Sequence, residues 1–240
     1  MLTSVLTILH HAVTLLFGVY LSAAFLGIRM SRKNIVILFG FSSALGVVCA
    51  LSFIFFGDVF TTQVYPLIIH LPLILFLTLY YKYTALRSVL SVLTAYLCCQ
   101  ISKWIGLAML DITELEWVYY SVRIVTTVVI FSVLIRFVSN AATQLMQKPP
   151  KALLIFSILP FTYYLFDYVT GVYTTLIYSG REVVAEFLGF VLSFVYLLFL
   201  LVYFRQYEEK REAEQRSRIL KMQQEQTQKE IEAQRRSAYT

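Results

Sequence analysis

The chain has 240 residues, 59% of them hydrophobic and only 14% charged, with a mean hydropathy of +0.72 and a formal charge of +6. A soluble domain carries about 25% charge, so this composition excludes a soluble globular protein, a secreted disulfide scaffold and a nucleic-acid binder built on a basic surface. Residues 205–240 hold 16 of the 34 charged side chains, the pattern of a membrane-embedded region followed by a polar tail.

A helix needs about 20 mostly apolar residues to cross about 30 Å of hydrocarbon. Seven segments meet that requirement in chain order: 4–28, 35–56, 64–81, 88–110, 118–137, 152–174 and 183–204. The first has no basic residues before it and no small-residue cleavage site after it, so it reads as a retained span and not a signal peptide. It carries His10 and His11, which as helix neighbours point about 100° apart. They are poor joint metal ligands and read as packing or hydrogen-bonding residues. In the third span Pro66 and Pro72 flank His70. Cys49, Cys98 and Cys99 lie inside apolar runs with no CxxC or Cys/His cluster, which predicts buried small residues. The sixth span contains Pro160, which predicts a kink or a hinge. The connections are short and polar: 29–34, 57–63, 82–87, 111–117, 147–151 and 175–182.

Lys and Arg in short loops mark the cytoplasmic side. One set of loops holds Arg29, Arg32, Lys33, Lys82, Arg87, Arg136, Lys148 and Lys151 and no acid. The opposite set holds Asp58, Asp111, Glu114, Glu116 and Glu182, with Arg181 as its only base. The expected fold is therefore an all-α integral membrane bundle of seven transmembrane helices, N-terminus outside and C-terminus inside. Tyr65, Trp117, Tyr119, Tyr120 and Tyr173 fall near the predicted outer interface, where amphipathic rings are favoured.

Ionisable side chains within spans cost at least about 3 kcal/mol each at mid-depth and usually face the bundle interior with a partner. By depth, His70, Lys103, Arg123, Asp167 and Glu186 all fall in the outer half. Gln100 and Lys103 are three residues apart and share a helix face. Two readings follow. One is a structural ion-pair network of Lys103 and Arg123 with Asp167 and Glu186. The other is an outward-facing polar pocket in which His70, Gln100, Lys103, Arg123, Asp167 and Glu186 bind a small ligand or a peptide. No catalytic pair, phosphate-binding loop, metal site or cofactor is expected.

The tail, 205–240, has no Gly or Pro and is rich in Glu, Gln, Arg and Lys, which favours helix. Acid–base pairs recur at helical spacing, such as Glu212 with Arg216 and Glu225 with Lys229. Ala213, Leu220 and Thr227 are seven apart, and Leu220, Ile231 and Ala238 keep a four–seven rhythm, the signature of a weak two-stranded coiled coil. This divides the chain into a seven-helix membrane domain, 1–204, and a cytoplasmic helix, 205–240. Pro160, the Phe204–Arg205 junction, Leu220 and Ile231 are the residues expected to carry movement between them.

This layout, together with the run Gln100-Ile101-Ser102-Lys103-Trp104-Ile105-Gly106 and the ending Glu230-Ile231-Glu232-Ala233-Gln234-Arg235-Arg236-Ser237-Ala238-Tyr239-Thr240, resembles the membrane input region of GHKL-type sensor histidine kinases, related to the peptide-pheromone receptor kinases of Gram-positive bacteria. The resemblance implies a plasma-membrane receptor, a homodimer through the tail, and a response regulator reached only through a catalytic region beyond Thr240. No His follows His70, so no phospho-acceptor or ATP-binding residue carries over to this chain. The competing expectations are a small polytopic transporter and a scaffold whose tail recruits a partner. A retinal receptor is disfavoured, because the seventh span has no Lys for a Schiff base.

Overall fold

The computed structural model describes the backbone of residues 2–171 and 181–238, and within them the side chains of all but Ser4, Asp58 and residues 169–171, 181–191 and 230–238. Every regular element among these residues is helical: α1 (Leu2–Phe25), α2 (Arg32–Tyr65), α3 (Leu71–Leu79), α4 (Ala85–Thr113), α5 (Glu116–Val133), α6 (Ser139–Met146), α7 (Pro150–Gly171) and α8 (Arg181–Ala238). The chain divides into two compact units, Met1–Leu198 and Phe199–Thr240.

Five stretches of the first unit are long and apolar enough to cross a membrane: Val5–Phe25, Arg32–Gly57, Val59–Leu79, Ala85–Thr113 and Glu116–Met146. The protein is thus a multi-pass helical membrane protein in build. The sixth and seventh expected spans are helical as well, as α7 and the start of α8. Lys151, Pro160, Asp167 and the tyrosines at 163, 164 and 168 dilute the apolar run of α7. Residues 172–180, with the expected interfacial Tyr173, lie outside the described residues.

Phe53, Ile54, Phe55 and Phe56 are all exposed. Four consecutive residues cover every side of a helix, so this turn has no protein wall around it. Water would not tolerate such a belt. Hydrocarbon does, because the helix satisfies its own backbone and the rings meet acyl chains.

The second and third spans were expected to join through a polar loop at 57–63. Instead the chain reverses at Gly57, whose φ of 82° and ψ of 177° interrupt α2. Beyond it Thr61 donates its hydroxyl to the Gly57 carbonyl at 2.8 Å, and the Ser52 and Thr61 hydroxyls lie 3.0 Å apart. On a straight helix residues nine apart are separated by about 13.5 Å, so this contact records the reversal. Only glycine tolerates that backbone region. Gly57→Ala is expected to cost about 1–3 kcal/mol in unfolding of the detergent-solubilised protein. No Cβ clash contributes, since nothing lies within 4 Å of the added atom. An unchanged unfolding curve would show that the turn does not require this conformation.

Two π-helical turns interrupt the α geometry. Over Pro66–His70 the Leu71 N–H reaches back five residues to the Pro66 carbonyl. Pro72 has no N–H to offer the Ile68 carbonyl and its ring crowds that oxygen, which favours the wider turn. Over Leu134–Val138 the Ser139 N–H bonds the Leu134 carbonyl in the same way. The fifth segment then carries on through α6 to Met146, nine residues past its expected end. α7, by contrast, runs through Pro160 without interruption of its helix.

α4 is the central helix. It packs against α1, α3, α5 and α7, and 61% of its span is buried, against 17–22% for the other four spans. Its buried face is rich in small and polar residues, including Ser88, Ser91, Thr94, Ala95, Ser102 and Gly106. Such residues let helices approach closely where no hydrophobic effect drives them together. The main apolar core gathers Val19, Ala23, Leu38, Leu73, Leu77 and Leu90 from α1 to α4. Tyr83 closes this end of the unit by donating its hydroxyl to the Leu26 carbonyl at 2.8 Å, and Tyr20 does the same to Ile35 at 2.7 Å.

The second unit is the polar stretch of α8. Arg205 Nε lies 3.1 Å from Glu209 Oε1, and Arg216 lies 3.8 Å from Glu212. Residues 205–229 are all exposed.

Candidate functional site

A cavity of about 170 Å³ opens among α1, α4, α5, α7 and the π-helical turn, and five of the six residues expected to form a site line it: His70, Gln100, Lys103, Arg123 and Asp167. Glu186, the sixth, falls among the side chains outside the described set. Gln100 and Lys103 face the cavity together, as their spacing on α4 requires. α1 contributes its small polar face through Thr14, Gly18 and Ser22.

The charges are arranged unequally. Lys103 Nζ lies 3.7 Å from Asp167 Oδ1, with the two side chains 30% and 21% exposed. Asp167 also accepts a hydrogen bond from the Tyr96 hydroxyl. Arg123 behaves differently. Its Nη1 donates to the Tyr119 hydroxyl at 2.5 Å, and its guanidinium carbon lies 5.1 Å from the centre of that ring. Its Nε is buried without an acceptor, and the Gln100 Oε1 is buried without a donor. Of the four-charge network read from the sequence, the described residues therefore supply one ion pair and one cation left without a carboxylate.

His70 sits inside a cluster of tyrosines. Its Nδ1 lies 2.8 Å from the Tyr164 hydroxyl. The rings of Tyr65, Tyr96 and Tyr164 each stand 5.3 Å from it, edge to face. This is the orientation that aromatic quadrupoles favour. Charged and aromatic side chains therefore share a cavity wall that is otherwise small and aliphatic, with Leu15, Val19, Ile69, Leu73 and Val92 among its members.

Comparison of the chain with family models, with curated proteins and with solved structures returns no match. The reading of the site rests on its own chemistry. Among the described residues no group of three or more His, Cys, Asp or Glu could hold a metal ion. His10 and His11 stand edge to face at 5.0 Å, and His10 Nε2 lies 3.2 Å from Thr14 Oγ1, so His10 is a packing and hydrogen-bonding residue. A cation, an ion pair, an unsatisfied amide oxygen and aromatic faces are gathered around one opening.

Sequence reasoning missed several members. Tyr65 and Tyr119 were expected at the interface, yet Tyr65 lines the cavity and Tyr119 anchors Arg123. The signal available for Tyr119 was its place four residues before Arg123 on one helix face. No spacing or charge pattern in the sequence singles out Gly106. A Cβ there would run into Cγ and Cδ of Arg123, so its missing side chain lets that arginine lie against α4. Of the residues expected to carry movement, Pro160 is fully buried and Leu220 is 58% exposed. Phe204 and Arg205 lie in the second unit, and the side chain of Ile231 is outside the described set.

Proposed function

We propose that the chain is the sensory input module of a two-component histidine kinase. It sits in the plasma membrane as seven spans, N-terminus outside and C-terminus in the cytoplasm. It binds a small extracellular ligand or peptide in the cavity lined by His70, Gln100, Lys103, Arg123 and Asp167, and passes the signal through the seventh span to a dimeric cytoplasmic helix. The observation that carries this reading is the convergence of residues from four separate sequence segments on one cavity. Intramembrane charge is costly, and here it surrounds an opening.

Two features support the signalling half. Ile219, Leu220 and Met222 are more than half exposed on a helix otherwise covered in charge. A second copy of the same helix would cover them, with the seam weak enough to change register at small cost. The basic loop residues from Arg29 to Lys151 suit a cytoplasmic end of the bundle. A response regulator would be met only through a catalytic region joined after Thr240.

The experiment is to join a histidine-kinase catalytic half to the C-terminus and follow signal-dependent autophosphorylation in membranes. Lys103→Ala and Asp167→Ala are each expected to abolish the response while basal phosphorylation persists. Unchanged signal dependence in both rejects the cavity as the input. The two π-helical turns favour the transporter as a second reading, since transporters line their sites with irregular helices. Solute flux into proteoliposomes would establish it in place of the first.

A further inference from the structure

Three properties of the cavity narrow what it accepts. The first is size. A dry cavity of about 150 Å³ takes up benzene, whereas sites for drug-sized ligands run from about 300 Å³ upward. At about 170 Å³ this cavity is of the size for a single ring with small substituents, and a peptide of several residues could place no more than one side chain in it. The second is charge. Among the described lining residues Lys103 and Arg123 face one carboxylate, Asp167, which Lys103 already engages. One positive charge is left over, and it belongs to Arg123. The third is unfinished hydrogen bonding. The Nε edge of Arg123 lacks an acceptor, and Oε1 of Gln100, a residue only 7% exposed, lacks a donor.

Resting on the reading of this cavity as a ligand site, we infer that its ligand is a small aromatic monocarboxylate. The carboxylate docks on the guanidinium of Arg123, a lining residue whose planar fork of N–H groups matches two oxygens. Nη1, held by Tyr119, fixes the guanidinium plane in advance. The ring occupies the wall made by Tyr65, His70 and Tyr96, where flat faces and edges suit another ring. A hydroxyl on the ring meets the Gln100 amide, which also lines the cavity. An uncharged ligand would leave the Arg123 charge uncompensated in a low-dielectric site, and a cationic one would add to it. A zwitterion would bring an ammonium group to a cavity whose one carboxylate among the described lining residues is already engaged.

The test is isothermal titration of the purified full chain in nanodiscs with benzoate, 4-hydroxybenzoate, benzamide, benzylamine and phenylalanine. 4-Hydroxybenzoate is expected to bind best and benzoate next. Benzamide and benzylamine are expected to be weaker than benzoate by about 10- to 100-fold, the worth of hydrogen bonds to a charged group. Arg123→Lys keeps the charge and loses the fork, and should weaken benzoate about tenfold. Asp167→Asn frees Lys103 while keeping an acceptor for Tyr96, and should tighten benzoate, a gain that damage to folding cannot produce. Equal affinity for benzoate and benzamide, tighter binding of benzylamine or phenylalanine, or no binding by any of the five overturns the inference. Benzoate binding that leaves a fused kinase unresponsive rejects the sensory reading and leaves the ligand class standing. A kinase response to phenylalanine but not benzoate does the reverse.

Discussion

Asp167→Ala is expected to destabilise the helical unit by about 3 kcal/mol, the low end of the range for removing one partner of a buried pair. The loss has two parts. Lys103 keeps its charge inside the bundle with no carboxylate at 3.7 Å to offset it, and the Tyr96 hydroxyl loses its acceptor. The cost stays at the low end because the cavity leaves both charged side chains partly exposed. Asp167→Asn keeps an oxygen in place and should cost only about 1 kcal/mol, the net worth of an ordinary hydrogen bond. Chemical unfolding of both variants in one detergent reads the difference. Equal losses for Ala and Asn would mean that packing, and not the stranded charge, sets the effect.

Gly106→Ala should cost about 1–3 kcal/mol, the usual penalty of overpacking, and should also reduce carboxylate binding by displacing Arg123. An added Cβ would overlap the Arg123 side chain and stand 3.2 Å from Cδ2 of Tyr119. The arginine cannot simply swing away, because its Nη1 is tied to the Tyr119 hydroxyl and the two residues share a helix face. The cause is separable with a double-mutant cycle. In an Arg123→Ala background the methyl group has room, and the cost of Gly106→Ala should vanish or turn into a gain of up to about 1 kcal/mol, the helix-propensity advantage of Ala over Gly. The same cost in both backgrounds would rule out the clash as its origin.

How far the sequence led can be judged from these same residues. The apolar segments and the depth of each charge were legible, because a bilayer forces long helices and penalises every ionisable group. Depth alone brought His70, Lys103, Arg123 and Asp167 to one level, and the structure brings them to one cavity. Partner choice was not legible. Lys103 and Arg123 read as equivalent cations, but a carboxylate meets one and a tyrosine the other. Polarity also misplaced two ends. Thr61 read as loop, yet its hydroxyl is satisfied by the Gly57 carbonyl of its own helix. Residues 138–146 read as part of neither the fifth span, 118–137, nor the connection at 147–151. In α6, Ala141 with Leu145 and Ala142 with Met146 are buried at four-residue spacing, so one apolar face keeps the helix packed while its polar side faces outward. Period, and not average polarity, carried the information there.

The π-helical turn at Pro66–His70 has a consequence for how such a site can change over time. A π turn is an α-helix that has absorbed one surplus residue without turning its two flanks relative to each other. The face of α3 that buries Leu73 and Leu77 is therefore independent of whether the surplus residue is present. Loss or gain of a single residue between 66 and 70 would re-aim the His70 ring while leaving α3 seated on α4. The wall of the cavity can in this way be retuned by chain length, a kind of variation that point substitution does not reach and that leaves the rest of the bundle untouched.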